Sequence, residues 1–222
     1  MTTIALHHTD TSIEGSKLTA YCSIHDINIV RIKKDTPFLD TYTPCGSVEW
    51  CLSLLKKKVI PDYYPEWAEC ILHRKVWQSN EWILDRKLFV KPADSYKKFN
   101  GFVAHGTYSK KKKPPFWYSE IVKFENEWRC YVSRGQILCS KWYWGDEVNT
   151  PNLPDAYLQK LQYMIPTHYS GAVDIGSVKD IDDPVLIEAQ HPVACGWYGS
   201  NFEDIDLYIK WLGAGWNYMK VL

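Results

Sequence analysis

The chain of 222 residues carries no excess of either charge: 26 Lys and Arg stand against 26 Asp and Glu. No long-range field draws it to nucleic acid or an anionic membrane, which leaves only local basic patches as candidates for such contacts. Also missing is any apolar run near the ~20 residues of a membrane helix, and the opening Met-Thr-Thr-Ile-Ala-Leu-His-His lacks the charged start and apolar core of a signal peptide. A cytoplasmic protein is expected. Cys22, Cys45, Cys51, Cys70, Cys130, Cys139 and Cys195 include no Cys-x-x-Cys pair, and the histidines give no zinc spacing. Reduced, mostly buried thiols and no structural zinc are therefore expected. Neither G-x-x-x-x-G-K-[ST] nor G-x-G-x-x-G occurs, which excludes a P-loop and a dinucleotide fingerprint. No Ser/His/Asp or Cys/His arrangement stands out, and there is no internal repeat.

A hydrophobic content of 45% with 23% charged residues is the balance of an ordinary soluble globular protein, long enough for one large domain or two small ones. A strand at Thr3 to His8, a helix at Ile13 to Cys22 and a β-branched strand at Asn28 to Lys33 suggest a small α/β lobe. Ser47 is placed to cap a helix through Val48, Trp50, Cys51, Leu52, Leu54 and Leu55. Pro61-Asp62-Tyr63-Tyr64-Pro65 is turn chemistry, so the expected division is a lobe over 1–70 and a main domain over 71–222. A short helix from Glu66 to Leu72 follows that turn, and a strand spans Lys87 to Pro92. Three β-rich segments follow, Phe116 to Val122, Glu127 to Ser133 and Gln136 to Trp142, with breaks at Phe124-Glu125-Asn126 and Arg134-Gly135. They suggest an antiparallel meander. An amphipathic helix at Leu153 to Met164 and a closing helix from Phe202 to Val221, interrupted at Gly213 and Gly215, complete an α+β chain.

Most of the chemistry lies late in the chain. Asp174, in Gly-Ala-Val-Asp-Ile-Gly, and Glu188, in Val-Leu-Ile-Glu-Ala-Gln, sit on two expected strands, Gly171 to Val178 and Pro184 to Ala189, joined by a long polar turn. Side chains alternate along a strand, so Glu188 and Gln190 share a face and a hairpin can bring Asp174 opposite them. Two carboxylates a few ångströms apart repel by roughly 4 kcal/mol at an effective dielectric of about 20, so they need a cation or a shared proton. Asp174, Glu188 and Gln190 are thus a candidate magnesium site, set against the plainer reading of a solvated hairpin face. Upstream, Lys91 ends a strand that Pro92 keeps extended, and the loop to Gly101 carries Lys97 and Lys98, a candidate phosphate cover. Arg74 lies in a basic connection that reads as phosphate contact or as solvated surface. Lys110 to Lys113 read as a solvated loop or as a nucleic-acid or acidic-protein contact. His191 reads as a base or a structural histidine, and Cys195 as a nucleophile or an ordinary thiol.

Phe89-Val90-Lys91-Pro92, Lys98-Phe99-Asn100-Gly101, Ser119-Glu120-Ile121-Val122, Glu127-Trp128-Arg129, Asp174 and Glu188-Ala189-Gln190 follow one another in an order that resembles the ATP-grasp superfamily, more closely a short phage and bacterial branch. The resemblance spans about residues 72 to 190. It implies an ATP-grasp fold with a small N-terminal α/β lobe and a C-terminal antiparallel sheet with helices. It also implies ATP and Mg2+, with Lys91, Arg74 and Lys98 toward the phosphates, Glu120 and the Val122 backbone at the adenine edge, and Glu127 by the ribose. Arg129 would face the γ-phosphate or an acyl phosphate, and Asp174, Glu188 and Gln190 would hold the metal. The implied activity joins a carboxylate to an amine on an amino acid, peptide or protein end. The sequence departs from the family in having Glu-Ala-Gln for the usual Glu-x-Asn, a covering loop poor in glycine, and a short first lobe with no matched substrate residue. Two other functions stay open: a nucleotide-binding module without turnover, and an RNA- or protein-binding adaptor using Lys110 to Lys113 and exposed aromatics.

Overall fold

The computed structural model describes residues 3–33, 35–57, 59–60, 62–83, 85–94, 99–105, 113–149, 151–199 and 201–222. Pro61, Lys97, Lys98 and Lys110 to Lys112 lie outside them, and with them the phosphate-cover reading of Lys98 and most of the basic loop.

Three sheets organise the chain. The first is parallel, in the order β2-β1-β3, from β1 (Thr3–His7), β2 (Ile29–Ile32) and β3 (Tyr42–Cys45). Its helices are α1 (Ile13–Ile24) and α2 (Val48–Leu54). Ser12 and Ser47 cap them by accepting hydrogen bonds from the amides of Gly15 and Trp50, which satisfies donors a helix start leaves unpaired. The second sheet is antiparallel, in the order β4-β7-β5-β6, with β4 (Val76–Ser79), β5 (Leu88–Pro92), β6 (Phe102–Ala104) and β7 (Phe116–Ser119). The third, also antiparallel, runs β11-β10-β8-β9, with β8 (Phe124–Ser133), β9 (Gln136–Trp144), β10 (Gly171–Val178) and β11 (Ile181–Gln190). α3 (Asp155–Met164) follows β9, and α4 (Ile205–Val221) closes the chain.

Four expectations need correction. Phe116–Ser119 does not join a meander with the next two strands: β7 pairs with β4 and β5, and residues 120–123 carry the chain into the third sheet. Phe124, Glu125 and Asn126 are not a break but the start of β8. The acidic hairpin has a two-residue connection, Lys179–Asp180, with Asp180 in the left-handed region at φ 64°. Ile181-Asp182-Asp183, which read as part of the turn, belong to β11, an edge strand, where the following Pro184 is tolerated. α4 is continuous through Gly213 and Gly215. Gly215 is there for space, since a Cβ would fall 2.1 Å from the Pro192 side chain. The break at Arg134-Gly135 is correct: both have positive φ, as a two-residue hairpin turn between twisted strands requires.

The third sheet is the platform. One face presents Trp128, Cys130, Val132, Val173, Ile175, Leu186 and Ala189 to α3 and to the 3-10 turn Glu66–Ile71, all buried. Burying each large apolar side chain stabilises by about 1.5–3 kcal/mol, so this packing holds the sheet's shape. On the other face Tyr131 and Ala172 pack with the parallel sheet and α4. α4 touches β3 and α1 on one side and β8 and β9 on the other, and Trp211 Nε1 donates to the Gly171 carbonyl at 2.7 Å.

Candidate nucleotide and metal site

Beyond Tyr131 and Ala172 the same face changes character. Glu188 on β11, Asp174 on β10, Arg129 on β8 and Lys141 on β9 are register partners, each of the next, forming one charged row across four strands. The register shifts between Asp174 and Ile175, whose partner is Leu186, so Ile187 is an extra residue in β11. A bulge of this kind re-aims side chains beside a site. Here Ile187 and Glu188 both line a cavity of about 410 Å3 between the second and third sheets.

In this state the charges of the row are paired, Asp174 with Arg129 inside it, Glu188 with Lys91 of β5 and Lys141 with Asp204 outside it. Arg129 donates through Nε and Nη2 to the two oxygens of Asp174 at 2.8 and 2.7 Å, a bidentate fork, and through Nη1 to the Gly196 carbonyl at 3.3 Å. Both side chains are buried, at 6% and 3% exposure. Burial opposes the guanidinium charge, but Cys195 and Asp174 outweigh it and hold the Arg129 pKa above its ordinary value. Lys91 crosses from β5 to donate to Glu188 at 2.6 Å, with its ammonium 4.0 Å from the Tyr63 ring centroid and 4.4 Å from that of Tyr64. Gln190 donates its amide to Asp174 at 3.1 Å and also to Glu188, while Cys195 Sγ lies 3.4 Å from its oxygen.

The donor set fits a hard divalent ion: two carboxylates and an amide converge, and no third acid joins them in a metal-like cluster among the described residues. Such a set leaves coordination positions for phosphate oxygens. Gln190 would have to turn its carbonyl oxygen toward the ion, because the amide NH2 faces the carboxylates here. The cavity fits a nucleotide, with the apolar walls Phe89, Val103, Ile121, Val122, Phe124 and Ile187 at one part and Lys91, Glu127 and Glu188 at another.

Arg74 lines the same cavity and is also tied into the fold. Its Nε donates to Ser119 Oγ at 2.8 Å, Nη1 to the carbonyls of Leu72 and Leu186 at 3.0 and 2.6 Å, and Nη2 to Ile187 at 3.4 Å. It therefore clasps the bulged edge of β11 to the end of β7. Burial lowers its pKa, an effect Tyr64 counters. Glu120 accepts from the Lys75 amide at 2.9 Å and pins the crossing between sheets, next to Val122 on the cavity wall. Burial raises the Glu127 carboxyl pKa, against a lowering hydrogen bond from Tyr143.

Sequence reasoning missed the aromatic supports. Tyr63 and Tyr64, read only as turn residues, cradle Lys91. Tyr143 and Tyr198 stack with centroids 5.0 Å apart, and the Arg129 guanidinium lies 4.8 Å from the Tyr198 ring. No spacing signals the second pair, because it joins β9 to a loop 55 residues later.

Two antiparallel sheets closing on a cleft, with a strand-end lysine from one facing carboxylates on the other, define an ATP-grasp protein. Residues 71–206, well over half of the chain, match the family described as ATP-grasp domain, family 2 of the R-two-K clade, and the chain belongs to that family. A comparison with curated proteins finds no match. Among solved structures, a RimK-domain ATP-grasp protein from Sphaerobacter thermophilus is similar with TM-score 0.54 and 9% identity, covering 96% of this chain and 98% of that one. D-alanine–D-alanine ligase from Bacillus anthracis gives TM-score 0.52 and 12% identity, over 100% and 98% of the two chains. N5-carboxyaminoimidazole ribonucleotide synthetase from Thermotoga maritima gives 0.54 and 10%, over 96% and 76%. They share its fold. No helix among the described residues is long and apolar enough to cross a membrane.

Proposed function

We propose that the protein is an ATP- and Mg2+-dependent ligase that joins a carboxylate to an amine through an acyl phosphate. The observation that carries this is the pair of largely buried ion pairs, Lys91 on Glu188 at 2.6 Å and Arg129 on Asp174 at 2.7 Å, beside the nucleotide-sized cavity. Each cation has an anionic partner that a phosphate can replace, and each carboxylate thus released becomes a metal ligand.

In this reading Asp174, Glu188 and Gln190 hold magnesium, which when bound screens the phosphate charge. Lys91 moves from Glu188 to phosphate oxygens. Arg129 moves from Asp174 toward the γ-phosphate, and the Gly196 carbonyl and Tyr198 ring keep its guanidinium oriented. Glu127 accepts from ribose hydroxyls, and Glu120 with the Val122 backbone frames the adenine edge. Arg74 acts on the phosphates through the clasp that sets the β11 edge. The substrate carboxylate oxygen attacks the γ-phosphorus and ADP leaves. The amine nitrogen then attacks the acyl carbon, the C–N bond forms as the acyl C–O bond to phosphate breaks, and the nitrogen gives up its proton to water or the departing phosphate. No side-chain nucleophile is required. The division at residue 70 is kept as a proposal, with α4 packed against both parts.

Calorimetry of ATP binding with and without magnesium tests the reading, on the wild type and on Asp174→Asn/Glu188→Gln. Magnesium-dependent binding that the double variant loses is expected, followed by ADP release with a matching acid and amine. A wild type that binds no ATP overturns it.

A further inference from the structure

The parallel sheet has a cavity of its own, about 650 Å3, outside the carboxyl ends of β1 and β3. The strand order β2-β1-β3 reverses direction between those two strands, and the crevice at such a reversal is where open α/β sheets take ligands. Asp10, Ser12 and Glu14 reach it from the chain after β1, and Ser47 from the chain after β3. The segment after β11 completes it. Gly196 lines the cavity, and its carbonyl accepts from Arg129 at 3.3 Å and from the Tyr131 hydroxyl at 2.8 Å. The charged row therefore runs from Glu188 on the nucleotide cavity to Arg129 at the border of this one. A ligand here lies against the loop that holds Arg129.

The lining is rich in one sign of charge. Asp10 and Glu14 bring two carboxylates; among the described residues no Lys or Arg lines the cavity, and neither acid is in an ion pair. His7 also lines it and shares a hydrogen bond with Thr9 Oγ1 at 2.7 Å. Helix capping does not use up the acids. Ser12 caps α1, and one Asp10 oxygen accepts from the Ser12 amide at 2.8 Å. The start of α1 sets about half a positive charge against two negative ones. Glu14 lies toward the charged row, its Oε1 3.4 Å from the place a Cβ would take on Gly196. Two carboxylates on a cavity of ligand size select a cation over an anionic acid substrate. Carboxylates also favour the protonated form of an amine, which has no lone pair to attack with, so the nitrogen they hold is not the one that reacts. Resting on the ligase reading, we propose that the amine substrate is a diamine, one ammonium held by Asp10 and Glu14 while the second nitrogen reaches past Gly196 toward Arg129.

The test reads binding and needs no turnover. Putrescine is titrated by calorimetry into the whole nucleotide-free protein, with butylamine, butanediol and succinate as probes of charge, and ATP with magnesium is titrated into the same preparation. Saturable putrescine binding with Kd of about 0.1–1 mM is expected, with butylamine about tenfold weaker and no binding of butanediol or succinate. Glu14→Gln changes only a charge, and Asp10→Asn keeps an acceptor for the Ser12 amide. Each should weaken putrescine binding about tenfold, with folding checked by circular dichroism. No saturation by about 10 mM, equal binding of butylamine or succinate, or unchanged binding by both folded variants overturns the inference. A protein that binds ATP but not putrescine fails this inference alone. One that binds putrescine but not ATP fails the ligase reading and keeps the cavity's preference for a diamine.

Discussion

The two faces of the third sheet are built from the same strands and differ in what they ask of the chain. One is uniformly apolar and closed by α3; the other is apolar only as far as Tyr131 and Ala172, then holds Glu188, Asp174, Arg129 and Lys141 in register. The first face fixes geometry, and the second uses it. Charges that are nearly dry are held by pairing, which costs desolvation and leaves every member dependent on its partner. In the proposed function, such a site stays paired until a ligand with both charge signs, such as a metal–nucleotide complex, offers each side chain another partner.

The comparison is broken most severely by removing one charge from the dry pair. Asp174→Leu strands Arg129 and should destabilise by about 3–5 kcal/mol in urea unfolding, whereas Arg129→Met/Asp174→Leu, which makes this face resemble the other, should recover most of that loss without nucleotide chemistry. A double variant as unstable as the single would show that the pair is not what holds this face. Next in size is Lys91→Ala, which should weaken ATP binding at least about tenfold, about 1.4 kcal/mol, by calorimetry. Glu188→Ala should abolish ATP-dependent turnover; retained activity would remove Glu188 from the metal set.

Self-pairing also orders the binding events. Magnesium titrated into nucleotide-free protein should give little heat, because Arg129 and Lys91 already neutralise both carboxylates. Metal and ATP together should bind far better than either alone. Tight magnesium binding without nucleotide would contradict that picture. The clasp is a smaller matter. Arg74→Lys replaces a fork that spans four acceptors with a point charge, and should cost about 1–2 kcal/mol of stability by thermal unfolding.

Much of this was legible because it is local. Ser47 caps its helix as its neighbours suggest, and strand alternation places Asp174 opposite Glu188. What was hidden depends on partners far away in sequence. Nothing near Pro184 says that β11 is an edge strand that accepts it, and nothing near Phe116 says that its neighbours are β4 and β5 rather than β8. The bulge at Ile187 and the carbonyls it leaves to Arg74 are likewise invisible until the sheets are assembled. The same holds for Arg129, whose bidentate tie to Asp174 arises from register across two strands forty-five residues apart.

The mildest prediction concerns Glu127, at the boundary where the wet end of the second face begins. Burial raises its folded pKa above the ordinary 4.5, with the carboxylates of Asp174 and Glu188 adding to the rise and Tyr143 opposing it. Between the unfolded and the folded pKa the native chain therefore holds a proton that the unfolded chain has released. Stability falls as pH rises through that window and is greatest below it. Glu127→Gln keeps an acceptor for the Tyr143 hydroxyl and has no such proton. Its stability relative to the wild type should therefore climb from acidic pH toward neutrality and then level off, read as urea midpoints across that range without nucleotide. A difference that stays constant with pH would mean that Glu127 is solvated like an ordinary surface acid, and that the charged face opens to water one residue earlier than its burial indicates.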